Sequence, residues 1–228
     1  MSLKTAYLIS SYLAPVEYYT KLLKYDNVYI EQYDHYMKQT YRNRCTIAAP
    51  YGTSALSIPV VHAGNMKCLM KDVRISGHGN WQHVHWNAIE FAYNSTPYFE
   101  YYKDDFRPFY ENKYTFLVDF NEELCNLICK LIDIAPATKR TAKYKTDCLP
   151  DNELDFRRII HPKKDFRTED PEFVPCLYYQ VFENRRGFIP NLSIIDLLFN
   201  MGPESLLILL KSIDNTPLEA ERLPLPLH

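Results

Sequence analysis

The sequence predicts a single α/β domain with a mostly parallel or mixed sheet flanked by helices. Residues 5–33 read as strand, short polar turn, helix and strand, which is the pattern of a parallel βαβ unit. Later segments repeat apolar positions three and four residues apart, which indicates helices. The length of 228 residues suits one domain with a sizeable core. We expect this domain to span 1–215 and an extended or disordered tail to follow at 216–228.

The strands are predicted mainly in the first third of the chain. "TAYLIS" and "NVYIEQY" are short apolar runs on either side of "VEYYTKLLKYD", whose apolar residues share one helical face. Two later segments, "LSIPVVHAG" and "CLMKDVRIS", also read as strands, and "YTFLVDF" reads as a strand or apolar link. These segments supply the expected sheet.

Helices dominate the rest of the prediction. Asn80 is a suitable N-cap for a helix with an apolar stripe from Trp81 to Ala92. "YFEYYKDDFRPFYE" reads as helical until Pro108, and "DFNEELCNLICKLIDI" follows with capping-box spacing. Between 136 and 175 the chain is polar and broken by prolines, with one short predicted helix, "DNELDFRRII". A strand, "CLYYQVF", and two helices, "PNLSIIDLLFNMG" (capped by Ser193 and Asp196) and "PESLLILLKSI", complete the domain.

Composition excludes several classes of function. The formal net charge of −2 gives no global attraction to nucleic acid or to an anionic membrane. Only six glycines are present, and no glycine-rich phosphate loop or G-x-S-x-G elbow occurs. The six cysteines form no C-x-x-C pair, and neither a signal peptide nor a long apolar run is seen. We therefore expect a cytoplasmic protein without a membrane span, nucleic-acid partner, cofactor or metal.

The stretch "ISGHGNWQHVHWN" contains three of the seven histidines and both tryptophans. On a helix, His83 and His85 lie about 160° apart, so they cannot share a metal ion. His85 shares the inward face with Trp81 and lies near a helix N-terminus, which favours a neutral imidazole suited to a general base. The alternative is a core histidine with a satisfied hydrogen bond.

The segment "KQTYRNR" is the candidate for phosphate binding. An extended segment places Arg42 and Arg44 on one face, and their guanidinium groups match a diphosphate. Lys38, Tyr41 and Asn43 belong to the same candidate site, with Trp81 and Tyr98 as walls of the pocket. Asn191 precedes a helix N-terminus, where an anion could also bind. The alternative for the arginine segment is a solvated, charged hairpin.

Several of these segments, in this order, resemble the WbqC-like proteins, which are encoded among bacterial O-antigen and lipopolysaccharide biosynthesis genes. They are "ISSYLAPVEYYTKLLKYDNVYIEQYD", "KQTYRNR", "IPV", "NWQHVHWNAIEFAYNSTPYFEYY" and "FIPNLSIIDLLFNMG". Trp81 and His85 match the family's N-W-x-x-x-H stretch, and the resemblance covers roughly residues 5–205. The chain departs from the family at Ser10 and Ser11, where Gln-Pro is common.

The resemblance implies an enzyme of surface-polysaccharide biosynthesis. Such an enzyme would transfer an acyl or aminoacyl group to a nucleotide-linked amino sugar. His85 would be the catalytic base, and the partner would be a sugar nucleotide or another phosphorylated small molecule. The alternative is an accessory protein that binds a sugar nucleotide or glycan without catalysis. Donor, acceptor and oligomeric state remain open at this point.

Overall fold

The structure, a computed structural model, describes residues 3–61, 68–146 and 152–213. The predicted tail at 216–228 lies outside these residues. The strands are β1 (Thr5–Ile9), β2 (Asn27–Glu31), β3 (Arg44–Ala49), β4 (Gly52–Ser57), β5 (Thr138–Arg140) and β6 (Glu153–Asp155). The helices are α1 (Val16–Lys24), α2 (Trp81–Tyr93), α3 (Phe99–Glu111), α4 (Leu117–Leu131), α5 (Phe166–Glu169), α6 (Glu183–Arg186), α7 (Ile194–Met201) and α8 (Ser205–Ile213).

Within the described residues, a four-stranded parallel sheet has the order β5-β2-β1-β6. β1 pairs in parallel with β2 on one side and with β6 on the other, and β5 extends the sheet beyond β2. All five residues of β1 are buried, as expected for a central parallel strand. β3 and β4 form a separate antiparallel hairpin. The predicted α/β fold class and the first βαβ unit are therefore confirmed.

One contiguous cluster of buried apolar residues forms the core. It includes residues of β1, of the β3–β4 hairpin and of helices α1, α2, α3, α4, α7 and α8, such as Leu8, Ile47, Ile89, Leu124 and Phe199. α1 packs against α7 and α8, and α7 also contacts β3 and α3. The core therefore connects the parallel sheet, the hairpin and the helices. Within the described ranges, no helix is long and apolar enough to cross a membrane.

Several local predictions are wrong. The predicted helix at 151–160 contains β6, which pairs with β1 through residues far apart in sequence. The predicted strand at 68–76 contains a 3₁₀ turn at Met70–Asp72, and the predicted strand at 176–182 forms no ladder among the described residues. The predicted link at 114–120 contains the start of α4, and α3 continues through Pro108.

Helices α2 and α7 begin after Asn80 and Ser193, as predicted, but neither side chain caps its helix with a hydrogen bond. Asn80 has a left-handed backbone conformation with φ of 48° and makes no side-chain cap hydrogen bond to α2. Ser193 instead donates from Oγ to the Leu13 carbonyl. Asp196 is fully buried, and its carboxylate accepts hydrogen bonds from Tyr93, Tyr178 and Gln180. Tertiary partners therefore bind the side chains that were expected to cap α7.

Candidate functional site

A cavity of about 450 Å³ lies at the carboxyl edge of the parallel sheet. Loops that follow β2, β5 and β6 meet there, because the carboxyl ends of parallel strands share one edge. This edge is the usual ligand-binding side of an open α/β sheet. We call it the carboxyl-edge cavity, and its lining residues are Tyr33, Asp34, His35, Met37, Arg42, Tyr144, Arg157 and Arg158.

Glu31, the last residue of β2, joins the loops of this edge. Its carboxylate is fully buried and accepts hydrogen bonds from four donors. Oε1 accepts from the Tyr33 amide at 2.9 Å and from the Thr141 hydroxyl at 2.8 Å. Oε2 accepts from the Lys145 amide at 3.0 Å and from Nη1 of Arg157 at 3.1 Å. One carboxylate thus fixes the loops after β2, β5 and β6 relative to each other.

Arg157 is held by acids on two strands. Its Nε and Nη2 donate to the two carboxylate oxygens of Asp155 at 2.9 and 2.7 Å, and its Nη1 also reaches Glu31. The guanidinium lies 5.2 Å from the centre of the Tyr144 ring. Asp155 and Glu31 therefore hold the guanidinium of Arg157 in place in the cavity wall.

Arg42 enters the cavity wall from the segment before β3. It is buried with 3% exposure, and its Nη2 donates to Oδ2 of Asp34. Burial raises the pKa of Asp34, and the Arg42 charge opposes that rise. Within the described residues, Nε of Arg42 and Oδ1 of Asp34 are buried without a hydrogen-bond partner. Within the described residues, this ion pair therefore keeps one unused donor and one unused acceptor, both enclosed by the protein.

A basic segment, residues 157–164, borders the same cavity. Its sequence "RRIIHPKK" contains two arginines, one histidine and two lysines. Nζ of Lys163 donates to Oε1 of Gln39, which ties this segment to the loop that carries Arg42. Burial, followed by the charges of Lys163, Lys164 and Arg42, lowers the pKa of His161. Cationic side chains from two parts of the chain therefore surround the cavity.

Arg158 is a cation of the cavity that no acid of the described residues balances. Its side chain is exposed, and no carboxylate oxygen of these residues lies within 4.0 Å of it. Against the effect of burial, the hydrogen bonds and charge of Arg157, followed by the charge of Arg158, lower the pKa of Asp155. Within the described residues, Arg158 therefore has no ion pair to break before it binds an anion.

His85 lies in a hydrophobic cage and does not line the carboxyl-edge cavity. It is 4% exposed, and its ring packs against the rings of Trp81 and Tyr12. Nδ1 lies 2.9 Å from the Tyr12 hydroxyl. Burial lowers the pKa of His85 to about 4, against the opposing effect of the Ser57 backbone. The imidazole is neutral, and the Tyr12 hydroxyl engages its Nδ1.

The three aromatic residues that were expected to shape the pocket lie apart from one another. Trp81 is buried and forms one edge of a different cleft, together with Gly77 and Asn80. Tyr41 is buried in the core, where its carbonyl accepts from the Tyr12 amide at 2.8 Å. The Tyr98 ring covers Gly202, where a Cβ atom would lie 2.4 Å from a ring carbon. All three residues therefore make their contacts outside the carboxyl-edge cavity.

The "YRNR" residues separate onto two surfaces. Arg42 faces the carboxyl-edge cavity, whereas Lys38, Asn43 and Arg44 line a second cavity of about 300 Å³ beside the β3–β4 hairpin. Asn43 is engaged there, because its side-chain amide donates to the Ile58 carbonyl at 2.7 Å. Arg42 and Arg44 therefore do not form the paired diphosphate clamp that the alternation suggested.

Asn191 is bound to α1 and contacts no cavity of the sheet edge. Its Oδ1 accepts from the Glu17 amide at 3.0 Å, and its Nδ2 donates to Oε2 of Glu17 at 2.9 Å. Its backbone is left-handed with φ of 57°, which asparagine tolerates better than most residues. The amide is fully used in joining the segment before α7 to the start of α1.

Comparison with known proteins places the chain in a family. The model of the WbqC-like protein family matches residues 10–167, which is more than half of the chain. This chain belongs to the WbqC-like protein family. An uncharacterized protein of Mycobacterium tuberculosis, Rv1507c, is 27% identical over 221 residues, covering 89% of this chain and 95% of that protein. No solved structure gives a significant match.

The family match covers most of the carboxyl-edge cavity, but sequence reasoning found only Arg42 among the residues that line it. In this WbqC-like chain the other lining residues follow β2, β5 and β6. β5 and β6 have three residues each, too few to show an alternating pattern. The sequence feature that could have indicated the cavity was the pair of arginines at 157–158, but these residues lie in a segment that was predicted to be a helix. The match ends at residue 167, before the "FIPNLSIIDLLFNMG" segment.

Proposed function

We propose that this WbqC-like protein binds a phosphorylated, nucleotide-linked sugar in the carboxyl-edge cavity. The observation that carries the proposal is a cavity of about 450 Å³ at the carboxyl edge of a parallel sheet, with Arg158, which no acid of the described residues balances, on its wall. The volume falls within the range of small-molecule sites, and guanidinium groups match phosphate oxygens. The rings of Tyr33 and Tyr144 add apolar wall suited to a sugar or base.

Arg158 and Arg42 have different roles in this proposal. Arg158 contacts the phosphates directly, because it has no ion pair with an acid of the described residues that would have to break first. Arg42 stays paired with Asp34 and forms part of the cavity wall. The basic residues of 157–164 raise the local concentration of anions around the entrance.

Binding without catalysis is the function that the geometry supports best. Acyl or aminoacyl transfer to the bound sugar, as part of surface-polysaccharide biosynthesis, is the finer proposal that the family resemblance supports. His85 is poorly placed for it, since a general base must reach its substrate, and His85 is buried and does not line the carboxyl-edge cavity. The transfer proposal therefore requires a different base or a rearranged site.

The test is binding of UDP-N-acetylglucosamine and dTDP-glucose, measured by thermal shift and calorimetry, with uridine as a phosphate-free control. We expect the sugar nucleotides, and not uridine, to stabilise the protein. Arg158→Gln should weaken binding roughly tenfold to a hundredfold by removing one charge-assisted hydrogen bond. Arg167→Gln is the matched control, because Arg167 is exposed on α5 outside the cavity.

Two results would contradict the proposal. One is the absence of any shift with both sugar nucleotides. The other is equal affinity of the Arg158→Gln and Arg167→Gln variants for a sugar nucleotide that the parent protein binds. Formation of an acylated sugar in the presence of an acyl donor would instead favour transfer.

A further inference from the structure

Three ionisable side chains are buried together between α1 and the segment after α5. Glu17 and Lys21 lie one turn apart on α1, and Asp170 directly follows α5. Their exposed fractions are 2%, 1% and 2%. Ionised groups are rarely buried to this extent unless they are paired, so the charges of this cluster need a full account.

Lys21 balances only one of the two acids. Its Nζ donates to Oδ1 of Asp170 at 2.9 Å and lies 2.6 Å from Oδ2. Glu172, the next acid along the chain, pairs with Lys24 at 2.9 Å at the partly exposed edge of the cluster. One ammonium group and one carboxylate therefore cancel in the interior, and Glu17 is the remaining acid.

The contacts of Glu17 fit a neutral carboxylic acid. Oε2 accepts from the Asn191 amide, as a carbonyl oxygen does. Oε1 of Glu17 and Oδ2 of Asp170 are both buried without a hydrogen-bond partner within the described residues, and each carboxyl group lies near enough to act on the other's charge. Two carboxylates in contact have no hydrogen to share, whereas a proton on Oε1 supplies the missing donor. Tyr41 is the other titratable neighbour of Glu17.

We propose that Glu17 and Asp170 share one buried proton in the folded protein, and that this proton holds residues 165–173 against α1. Glu17 donates from Oε1 to the Asp170 carboxylate, which also accepts from Lys21. The cluster then contains one positive and one negative charge, and each inward oxygen has a partner. The proposal stands independently of the anion-binding function.

The electrostatics of the cluster support this arrangement. Burial, together with the neighbouring Asp170 carboxyl group, raises the pKa of Glu17 to about 7. The Asn191 hydrogen bond and the Lys21 charge oppose the rise without cancelling it. At pH 6 the folded protein therefore keeps the proton, whereas an exposed glutamate with a pKa near 4.5 has lost it.

The direction of the pH effect follows from this difference. Because the folded pKa is raised, the stabilisation is fully present below about pH 4.5 and is lost as pH rises towards 7. Opening of residues 165–173 exposes Glu17 and releases the proton. The opening equilibrium should therefore rise roughly tenfold per pH unit between about pH 5 and pH 7, and then level off.

The first experiment is a carboxyl ¹³C NMR titration, in which Glu17→Gln identifies the Glu17 resonance. We expect this resonance to titrate near pH 7. Titration near pH 4.5, as for an exposed glutamate, overturns the proposal even if every variant is stably folded.

The second experiment is hydrogen exchange of the amides in 165–173, corrected for intrinsic rates, between pH 5 and pH 8. Glu17→Gln should fold, since its amide can donate to Asp170. In this variant the opening equilibrium of residues 165–173 should no longer rise about tenfold per pH unit between about pH 5 and pH 7. Glu172→Gln is the matched control and should keep the parent dependence. Equal slopes in the parent and Glu17→Gln proteins contradict the proposal.

Discussion

The imidazole of His85 shows how the surroundings of a side chain decide its chemistry. Its position near the start of α2 suggested a neutral general base, and the ring is indeed neutral. Burial among Trp81 and Tyr12, more than the helix N-terminus, is the cause, and the Tyr12 hydroxyl engages Nδ1. A neutral histidine is therefore necessary for base catalysis but does not by itself indicate it.

A pH prediction follows for this residue. Its folded pKa of about 4 lies below the unfolded value near 6.5, so the unfolded chain binds the extra proton between these values. Its contribution to the free energy of unfolding should fall by about 3 kcal/mol as pH drops from 6.5 to 4. His85→Phe should have a lower free energy of unfolding at pH 7. This free energy should change less with pH between 6.5 and 4 than in the parent protein, as measured by urea unfolding.

His83 provides the control for that measurement. It is exposed on the same helix and contacts only Asn87 through its side chain within the described residues. His83→Gln should therefore keep the pH slope of the parent protein. A parent slope retained in His85→Phe would show that His85 does not titrate in this window.

At the scale of elements, three strands are joined at their carboxyl ends through Glu31. The side chain lies at the end of β2, yet its partners follow β2, β5 and β6. The short β5 and β6 have few ladder hydrogen bonds of their own. The shape of the carboxyl-edge cavity therefore depends on this buried carboxylate as much as on the sheet.

Glu31→Gln should disturb this edge strongly. The new amide group would face the donors on Lys145 and Arg157, which then lose an acceptor in a buried site. We expect a loss of about 3 kcal/mol in the free energy of unfolding, measured by denaturant unfolding, together with weaker sugar-nucleotide binding.

The matched control is Glu153→Gln on β6. Glu153 is partly exposed and forms an ion pair with Lys145 at 2.6 Å. Partly exposed pairs of this kind contribute about 1 kcal/mol or less. If the two substitutions cost the same, Glu31 does not join the loops in the way its hydrogen bonds indicate.

At the scale of the whole molecule, the core is one contiguous cluster. It runs from β1 through the β3–β4 hairpin to α7 and α8, so these parts share buried apolar contacts. Removing any of them exposes apolar surface on the others. The hydrophobic free energy therefore opposes partial unfolding.

We expect the described residues to unfold in one cooperative transition. Both tryptophans lie in α2, so their fluorescence reports on that helix, whereas far-ultraviolet circular dichroism reports on all helices and strands. The two signals should give coincident urea midpoints. Midpoints that differ clearly would mean that α2 and its neighbours unfold separately from the rest.

Local patterns in the sequence were sufficient for the fold class and for the longer helices. The βαβ unit at 5–31 and the amphipathic helices α2, α4 and α8 depend on spacing that is visible within a few turns. The family was also evident from the sequence, because its segments occur in a fixed order. Arg42 was identified because it lies in one of these segments, "KQTYRNR".

The site itself required the tertiary structure. β5 and β6 exist as strands because β2 and β1 pair with them, and their own residues do not show it. Burial then sets the charge states, since the same residue types would titrate normally in water. Arg158 became the leading candidate because its neighbours Arg42 and Arg157 are balanced by acids from elsewhere in the chain. Long-range pairing and desolvation are properties of the folded chain, so no local pattern encodes them.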